Sequence, residues 1–337
     1  MTGFNKILTY SGSAIIVMLL ASGCLKNDWE EKEQHEKEVI QKYLEDNNIS
    51  EDQKTEGGIY FVEEKAGTGL SPQTDNYIII DYVGRYLEDN AIRETTYDSL
   101  KDEWTAAEYF EYYVYGPVKF KFGYTIAGMN EGLALMKEGG KALMVLPSDK
   151  AFYDFNPMAY EVELYKVISD PVSYEDSVLL VYRNEKGFDE STKYGWSNGD
   201  TIWFKETVTP DPTDERTVEP NDTVLFRFTG RLVDGFGNVV KDDRVFDSNT
   251  SDTNPVRIVY NRTNPTWKSG HILAIPGGLT VALDSMRVGT HATAVLPYDQ
   301  AFDISGITYD PYGYTIVPPY QTVVYDIIVV DIRSPGK

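Results

Sequence analysis

A stretch of 26 residues occurs twice in this 337-residue chain, and no other feature restricts its fold as much. Residues Ala127 to Phe152 (AGMNEGLALMKEGGKALMVLPSDKAF) align without a gap with Gly277 to Phe302 (GGLTVALDSMRVGTHATAVLPYDQAF), at an offset of 150. Eleven positions are identical, among them Gly128/Gly278, Leu133/Leu283, Met136/Met286 and Val145-Leu146-Pro147 against Val295-Leu296-Pro297. Each copy carries three apolar residues at i, i+4 and i+7 (Met129, Leu133, Met136; Leu279, Leu283, Met286), the buried stripe of a short amphipathic helix. A glycine, Gly139 or Gly289, is expected to stop that helix, and the apolar run ending in Leu-Pro reads as a strand leaving a sheet. A helix laid across a sheet, built twice, is the predicted frame.

The duplication continues into the flanks. Tyr77 to Tyr86 (YIIIDYVGRY) and Thr223 to Val233 (TVLFRFTGRLV) are apolar strands with a glycine near the end, and Ala159 to Ile168 and Thr322 to Ile332 are closing strands. Tyr97-Asp98-Ser99 pairs with Phe246-Asp247-Ser248 at an offset of 149. Tyr160 pairs with Tyr325 at 165, so the second copy has about fifteen extra residues before its last strand. The first copy alone contains Leu100 to Tyr115, an insertion predicted as a surface helix. The fold class is α+β, two domains each made of an antiparallel half-barrel sheet around a short helix. The expected segments are residues 1–23, a signal peptide; 24–56, an acidic tether and helix; 57–170, a first domain; 171–200, a linker helix; and 201–337, a second domain.

Composition removes several classes of function. The net charge is −22 and no Lys/Arg-rich run follows the first few residues, so a nucleic-acid backbone would be repelled. One cysteine, Cys24, leaves no internal disulfide and no multi-cysteine metal site. His35, His271 and His291 show no metal-ligand spacing, and neither a P-loop nor a Gly-x-Ser-x-Gly motif occurs. The expectation is therefore no metal and no cofactor. At the N-terminus, Lys6 precedes a mostly apolar Ile7 to Leu20, too short and interrupted to span a bilayer permanently. Its end, LLASGC, resembles a bacterial lipoprotein signal. That resemblance implies a lipid on Cys24 and an outer-membrane-anchored body, facing the periplasm or the cell surface.

The ordered series of strand-Tyr-x-Gly, (Tyr/Phe)-Asp-Ser, aromatic strand, Ile-x-Gly-helix, Met-x-x-Gly, Leu-Pro-x-Asp-x-Ala-Phe and final aromatic strand resembles the FKBP-type peptidyl-prolyl isomerases, twice over. The resemblance implies an apolar pocket between sheet and helix, proline-containing polypeptides as partners, and isomerisation of X-Pro bonds. In the first copy it implies a pocket of Tyr82, Tyr97, Asp98, Val118 or Phe120, Ile126, Met129, Phe152 and Tyr160. In the second it implies Phe228, Phe246, Asp247, Val256 or Ile258, Ile275, Leu279, Phe302 and Tyr325, with Ile316-Val317-Pro318-Pro319 as a lip. The family's usual floor tryptophan is Met129 or Leu279 here, and its loop tyrosine is phenylalanine in both copies. The first copy lacks the lip and keeps only Asn156-Pro157, so the second is expected to be the more active. The function implied is a membrane-anchored isomerase for exported chains; the alternative is a non-catalytic binding or chaperone module of the same shape. Mass spectrometry of the mature N-terminus is expected to find Cys24 lipidated, and an unmodified cysteine there refutes the anchor.

Overall fold

An apolar strand can occupy the middle of a sheet only if both its edges are paired, and the two YIII- and VLF-bearing strands are each paired on both sides. The computed structural model describes residues 28–105, 113–196, 199–208, 213–214, 216–236, 239–309 and 314–335. The expected signal peptide and Cys24 lie outside the described residues. Helix α1 (residues 28–46) leads into β1 (Tyr60–Lys65), β2 (Tyr77–Tyr86), β3 (Ile92–Thr95), β4 (Val118–Lys121), helix α2 (Ala127–Leu135), β5 (Gly140–Leu146) and β6 (Met158–Ile168). The strands are ordered β1-β5-β6-β2, with β3 and β4 sharing the far edge of β2, all antiparallel.

The second half repeats this path. It runs from helix α3 (Pro171–Lys186) through β7 (Lys193–Gly195), β8 (Thr201–Val208) and β9 (Thr223–Leu232) to the hairpin β10 (Asp234–Phe236) and β11 (Val239–Lys241). Then come β12 (Val245–Asn249), β13 (Val256–Val259), β14 (Thr266–Ser269), helix α4 (Gly277–Asp284), β15 (His291–Leu296), a ribbon of β16 (Ile307–Tyr309) with β17 (Tyr314–Val317), and β18 (Val323–Arg333). Its order, β8-β15-β18-β9 with β12 and β13 on the far edge of β9, repeats all six strands of the first sheet and adds β7 beyond β8 and β14 beyond β13. The protein is α+β, with antiparallel sheets and few helices.

The predicted helical stripes face inward. Met129, Leu133 and Met136 are buried against Ile78, Ile80, Met144 and Val162, and Leu279, Leu283 and Met286 against Phe226, Phe228, Leu296 and Ile327. Each such side chain contributes about 1.5–3 kcal/mol by leaving water. The glycines do not end these helices. The helices stop at Leu135 and Asp284, and Gly139 (φ 85°) and Gly289 (φ 81°) instead take the left-handed turn into β5 and β15. Asp98–Leu100, at the start of the insertion, is one 3-10 turn and residues 101–103 continue as turn. Residues 106–112 of the insertion lie outside the described residues.

A helix also covers the outer face of each sheet. Helix α1 packs Leu44, with Ile40 and Tyr43, on Tyr60 and Val145, and Glu36 accepts from the Ser148 amide (2.6 Å) and hydroxyl (2.8 Å). Helix α3 begins at Asp170, whose carboxylate accepts from the amides of Val172 and Ser173, and ends at Gly187 (φ 69°). Its Val178, Leu179 and Tyr182 are buried with Trp203, Val295 and Val324. The segment predicted as a linker is thus part of the second half's packing.

The two halves meet around a buried ion pair. Lys119 on β4 and Glu175 on α3 are 4% and 3% exposed and bonded to each other. Glu175 also accepts from the Thr322 amide at 3.1 Å, and Lys119 donates to the Tyr320 carbonyl at 3.2 Å. Tyr77 packs edge-on against Tyr320 at 5.4 Å, and Val114 of the insertion is buried within the second half's core. Removing one partner of such a pair strands a charge away from water. Lys119→Met is expected to cost about 3–5 kcal/mol, and adding Glu175→Leu to restore most of it, as read from urea unfolding midpoints.

Candidate functional site

Side chains alternate across a strand, so a wall built from β2 and β4 presents every second residue to one side. Ile80 and Tyr82 of β2 and Val118 and Phe120 of β4 face a cavity of about 540 Å³ in the first half. Ile126, the residue before α2, and Met129 in its first turn close the helix side. Phe152, from the loop after Leu146-Pro147, closes another side, and Tyr124 stands exposed at the rim. Lys119, between two lining residues, points the opposite way into the ion pair with Glu175.

Of the residues predicted for this site, the structure brings Tyr82, Val118, Phe120, Ile126, Met129 and Phe152 together around one cavity. Tyr160 is fully buried behind them, its ring 6.1 Å from that of Tyr82. Tyr97 and Asp98 are elsewhere. Tyr97 packs with Val83, Ile92 and Trp104, on the face of β2 opposite Tyr82, and the Asp98 side chain is 69% exposed beside Lys101. The carboxylate at the cavity is Glu94, which accepts the Tyr160 hydroxyl at 2.6 Å.

Strand register explains the exchange. Glu94 pairs with Gly84, and Gly84 with Tyr160; in the second half Asp247 pairs with Gly230, and Gly230 with Tyr325. Glu94 is therefore the counterpart of Asp247, at an offset of 153. The hairpin after β2 is seven residues shorter than the one after β9. Arg93 accordingly replaces Phe246. Its guanidinium lies 3.6 Å from the centre of the Phe152 ring, where Phe246 meets Phe302 edge-on at 5.8 Å. The clue in sequence was Glu94-Thr95, an acid followed by a hydroxyl residue like Asp247-Ser248, which the closer match Tyr97-Asp98-Ser99 obscured. Glycine is required at the crossing: a Cβ on Gly84 would lie 2.5 Å from the Tyr160 ring, and one on Gly230 2.8 Å from Phe246.

The predicted second-half residues also converge, but as packed core. Phe228, Phe246, Leu279, Val317 and Tyr325 are each no more than 4% exposed, and Val256 and Ile258 are fully buried. Phe228 and Phe246 lie 5.7 Å and 5.8 Å from the Tyr325 ring, while Ile275 and Phe302 are half-buried against the same cluster. Asp247 accepts the Leu273 amide at 2.8 Å and has His271 Nε2 at 2.9 Å. Burial raises its carboxyl above the ordinary value, against the pull of that amide and of His271. The lip divides. Ile316 and Val317 are buried in their own core, whereas Tyr314 and Thr315, just before them, line the first half's cavity. Tyr113 lines it as well, which the sequence did not disclose.

The cavity has the equipment to seat an apolar ring and hold a flanking amide. Prolyl isomerisation needs no nucleophile; its barrier is the roughly 18–20 kcal/mol of double-bond character in the amide. A dry wall disfavours the polar planar amide relative to its twisted transition state. Among the described residues no group of three or more His, Cys, Asp or Glu could hold a metal ion. No helix among the described residues is long and apolar enough to cross a membrane.

Residues 214–330 match a family model described as FKBP-type peptidyl-prolyl cis-trans isomerase. The chain is 31% identical over 117 residues to a probable FKBP-type peptidyl-prolyl cis-trans isomerase FkpA of Neisseria meningitidis, covering 34% of this chain and 37% of that protein. It is 28% identical over 117 residues to a macrophage infectivity potentiator of Trypanosoma cruzi, covering 35% and 46%. The chain thus spans less than half the length of these curated relatives. Among solved structures, FkpA of Escherichia coli matches 50% of this chain and 75% of its own, at 19% identity and a TM-score of 0.33. The three FKBP domains of wheat FKBP73 match 83% and 96%, at 17% identity and a TM-score of 0.29.

Burial also raises the Glu94 carboxyl above its ordinary value, against the opposing effects of the Tyr160 hydroxyl and Arg93. The folded state therefore holds this proton more tightly than the unfolded chain. The stability it contributes is present below the unfolded pKa and is lost as pH rises through the raised folded one. Glu94→Gln imitates the protonated acid and still accepts from Tyr160. Thermal melts from about pH 4 to about pH 8 are expected to show the variant gaining stability relative to wild type as pH rises. A constant difference across that range refutes the assignment.

Proposed function

We propose that this chain, whose residues 214–330 match the FKBP-type peptidyl-prolyl cis-trans isomerase family model, is a member of that family and catalyses cis-trans exchange of X-Pro bonds in polypeptides. The observation that carries the reading is the cavity between β2, β4 and α2. It is walled by Tyr82, Phe120, Ile126, Met129 and Phe152, large enough for a prolyl residue with its neighbours, and among the described residues has one carboxylate, Glu94, in its wall. The first half is therefore the working site. This departs from the expectation, based on the lip, that the second copy is the more active. The second half's counterparts Phe228, Phe246, Leu279 and Tyr325 are instead buried in its core.

The substrate reaches this cavity as an exposed segment of an unfolded or newly exported chain. LLASGC supports a lipidated Cys24, which would hold the acidic body at a membrane surface outside the cytoplasm. One observation favours binding without rapid turnover: Phe152 and Phe302 offer no hydroxyl to a substrate carbonyl, a bond contributing about 0.5–1.5 kcal/mol. That argues for modest catalysis, with prolonged holding of the client.

A proline-switch peptide assay on residues 25–337 tests both readings. Catalysis above the uncatalysed rate is expected, with Phe152→Ala lowering kcat/KM roughly tenfold and Phe302→Ala changing it by less than about twofold. Peptide binding without rate enhancement supports the holding module alone. The reverse pattern of the two variants moves the site to the second half.

A further inference from the structure

The first half's cavity is not made by the first half alone. We infer that the β16–β17 ribbon of the second half is a built-in wall of this site, and that Tyr314 and Thr315 help to select its substrate. The inference rests on the isomerase reading and goes beyond it by making one composite site from two halves.

Three observations carry it. Tyr314 and Thr315 line the same cavity as Tyr82, Met129 and Phe152, although they are more than 160 residues away in the chain. The ribbon occupies the extra loop that the second copy has before its last strand; the first copy's equivalent is only the short turn around Asn156-Pro157. The part missing from one half is thus provided by the other. Finally, the ribbon is held in place from both ends. Tyr314 packs on the second half's core and lies 5.4 Å from the Tyr113 ring, while Tyr320, a few residues on, receives Lys119 and packs on Tyr77. Lys119 sits between Val118 and Phe120, so the wall strand of the cavity is itself fastened to the half that provides the ribbon.

The chemistry of this corner points to a class of segment. Tyr113 and Tyr314, tilted at 57° to one another, present aromatic surface to a residue next to the seated proline. The Tyr113–Tyr314 corner, built from both halves, thus offers its surface to an aromatic side chain beside the seated proline.

The test uses residues 25–337 with two peptides that differ only in having Phe or Glu before the proline. Wild type is expected to favour the Phe peptide. Tyr314→Ala is expected to raise KM for that peptide roughly two- to tenfold, leave kcat nearly unchanged, and narrow the Phe/Glu preference by the same factor. Thr315→Trp, which fills the cavity from the ribbon side, is expected to raise KM for both peptides with the melting temperature retained. If Tyr314→Ala does not fold, Thr315→Trp decides. Values of KM within about twofold of wild type in the folded variants overturn the composite site while leaving the isomerase reading intact. Wild type that neither binds nor turns over either peptide overturns the isomerase reading and the composite site together.

Discussion

Each half depends on a glycine in its central strand that lets a buried tyrosine cross it. At Gly84 the ring of Tyr160 lies where a side chain would be, and at Gly230 the rings of Phe246 and Tyr325 do. Removing a Cβ at the middle of a sheet brings the aromatic layer against the backbone, and the helix then packs onto that layer. The tyrosine's hydroxyl sets the polar chemistry that follows. In the first half it is satisfied by Glu94, which holds an acid at the cavity wall. In the second half the Tyr325 hydroxyl is buried without a hydrogen-bond partner among the described residues, and Asp247 turns instead to Leu273 and His271.

The same scaffold therefore gives two outcomes. Arg93 in place of Phe246 keeps a flat surface against the loop phenylalanine while replacing a core ring with a half-exposed cation. Val118, Phe120 and Phe152 are only partly buried around the first half's cavity; in the second half Val256 and Ile258 are fully buried, while Phe302 is partly buried like Phe152. The family model matches residues 214–330, whereas most of the residues lining the described cavity lie outside that match. Sequence likeness follows residue identities, whereas an open site depends on how far side chains fill the space between sheet and helix.

How the halves associate is decided at the Lys119–Glu175 pair. An ion pair taken out of water is weak evidence for stability, but it is selective about geometry, because any displacement leaves a charge uncompensated. Here it joins a cavity strand, the helix between the halves and the turn that follows the ribbon. The halves consequently share parts: Val114 of the first enters the second's core, and Tyr314 of the second enters the first's cavity wall.

The sequence by itself determined the duplicated helix-on-sheet frame and the apolar stripes of α2 and α4, while the family resemblance implied part of the cavity lining: Tyr82, Ile126, Met129 and Phe152. The frame and stripes follow from periodicity and from the ungapped 26-residue repeat, which are read directly along the chain. Three things were left to the tertiary structure. The acid at the site is Glu94 rather than Asp98, because pairing across β2 and β3 fixes register and a hairpin seven residues shorter shifts it. Among the described residues the aromatic cavity lies against β2, β4 and α2 of the first half, because openness depends on the summed packing of distant side chains. The ribbon serves the other half's cavity, because a loop's destination is set by the surface it docks on, here Tyr77, Tyr113 and Lys119, and nothing within Tyr314–Val317 encodes that surface.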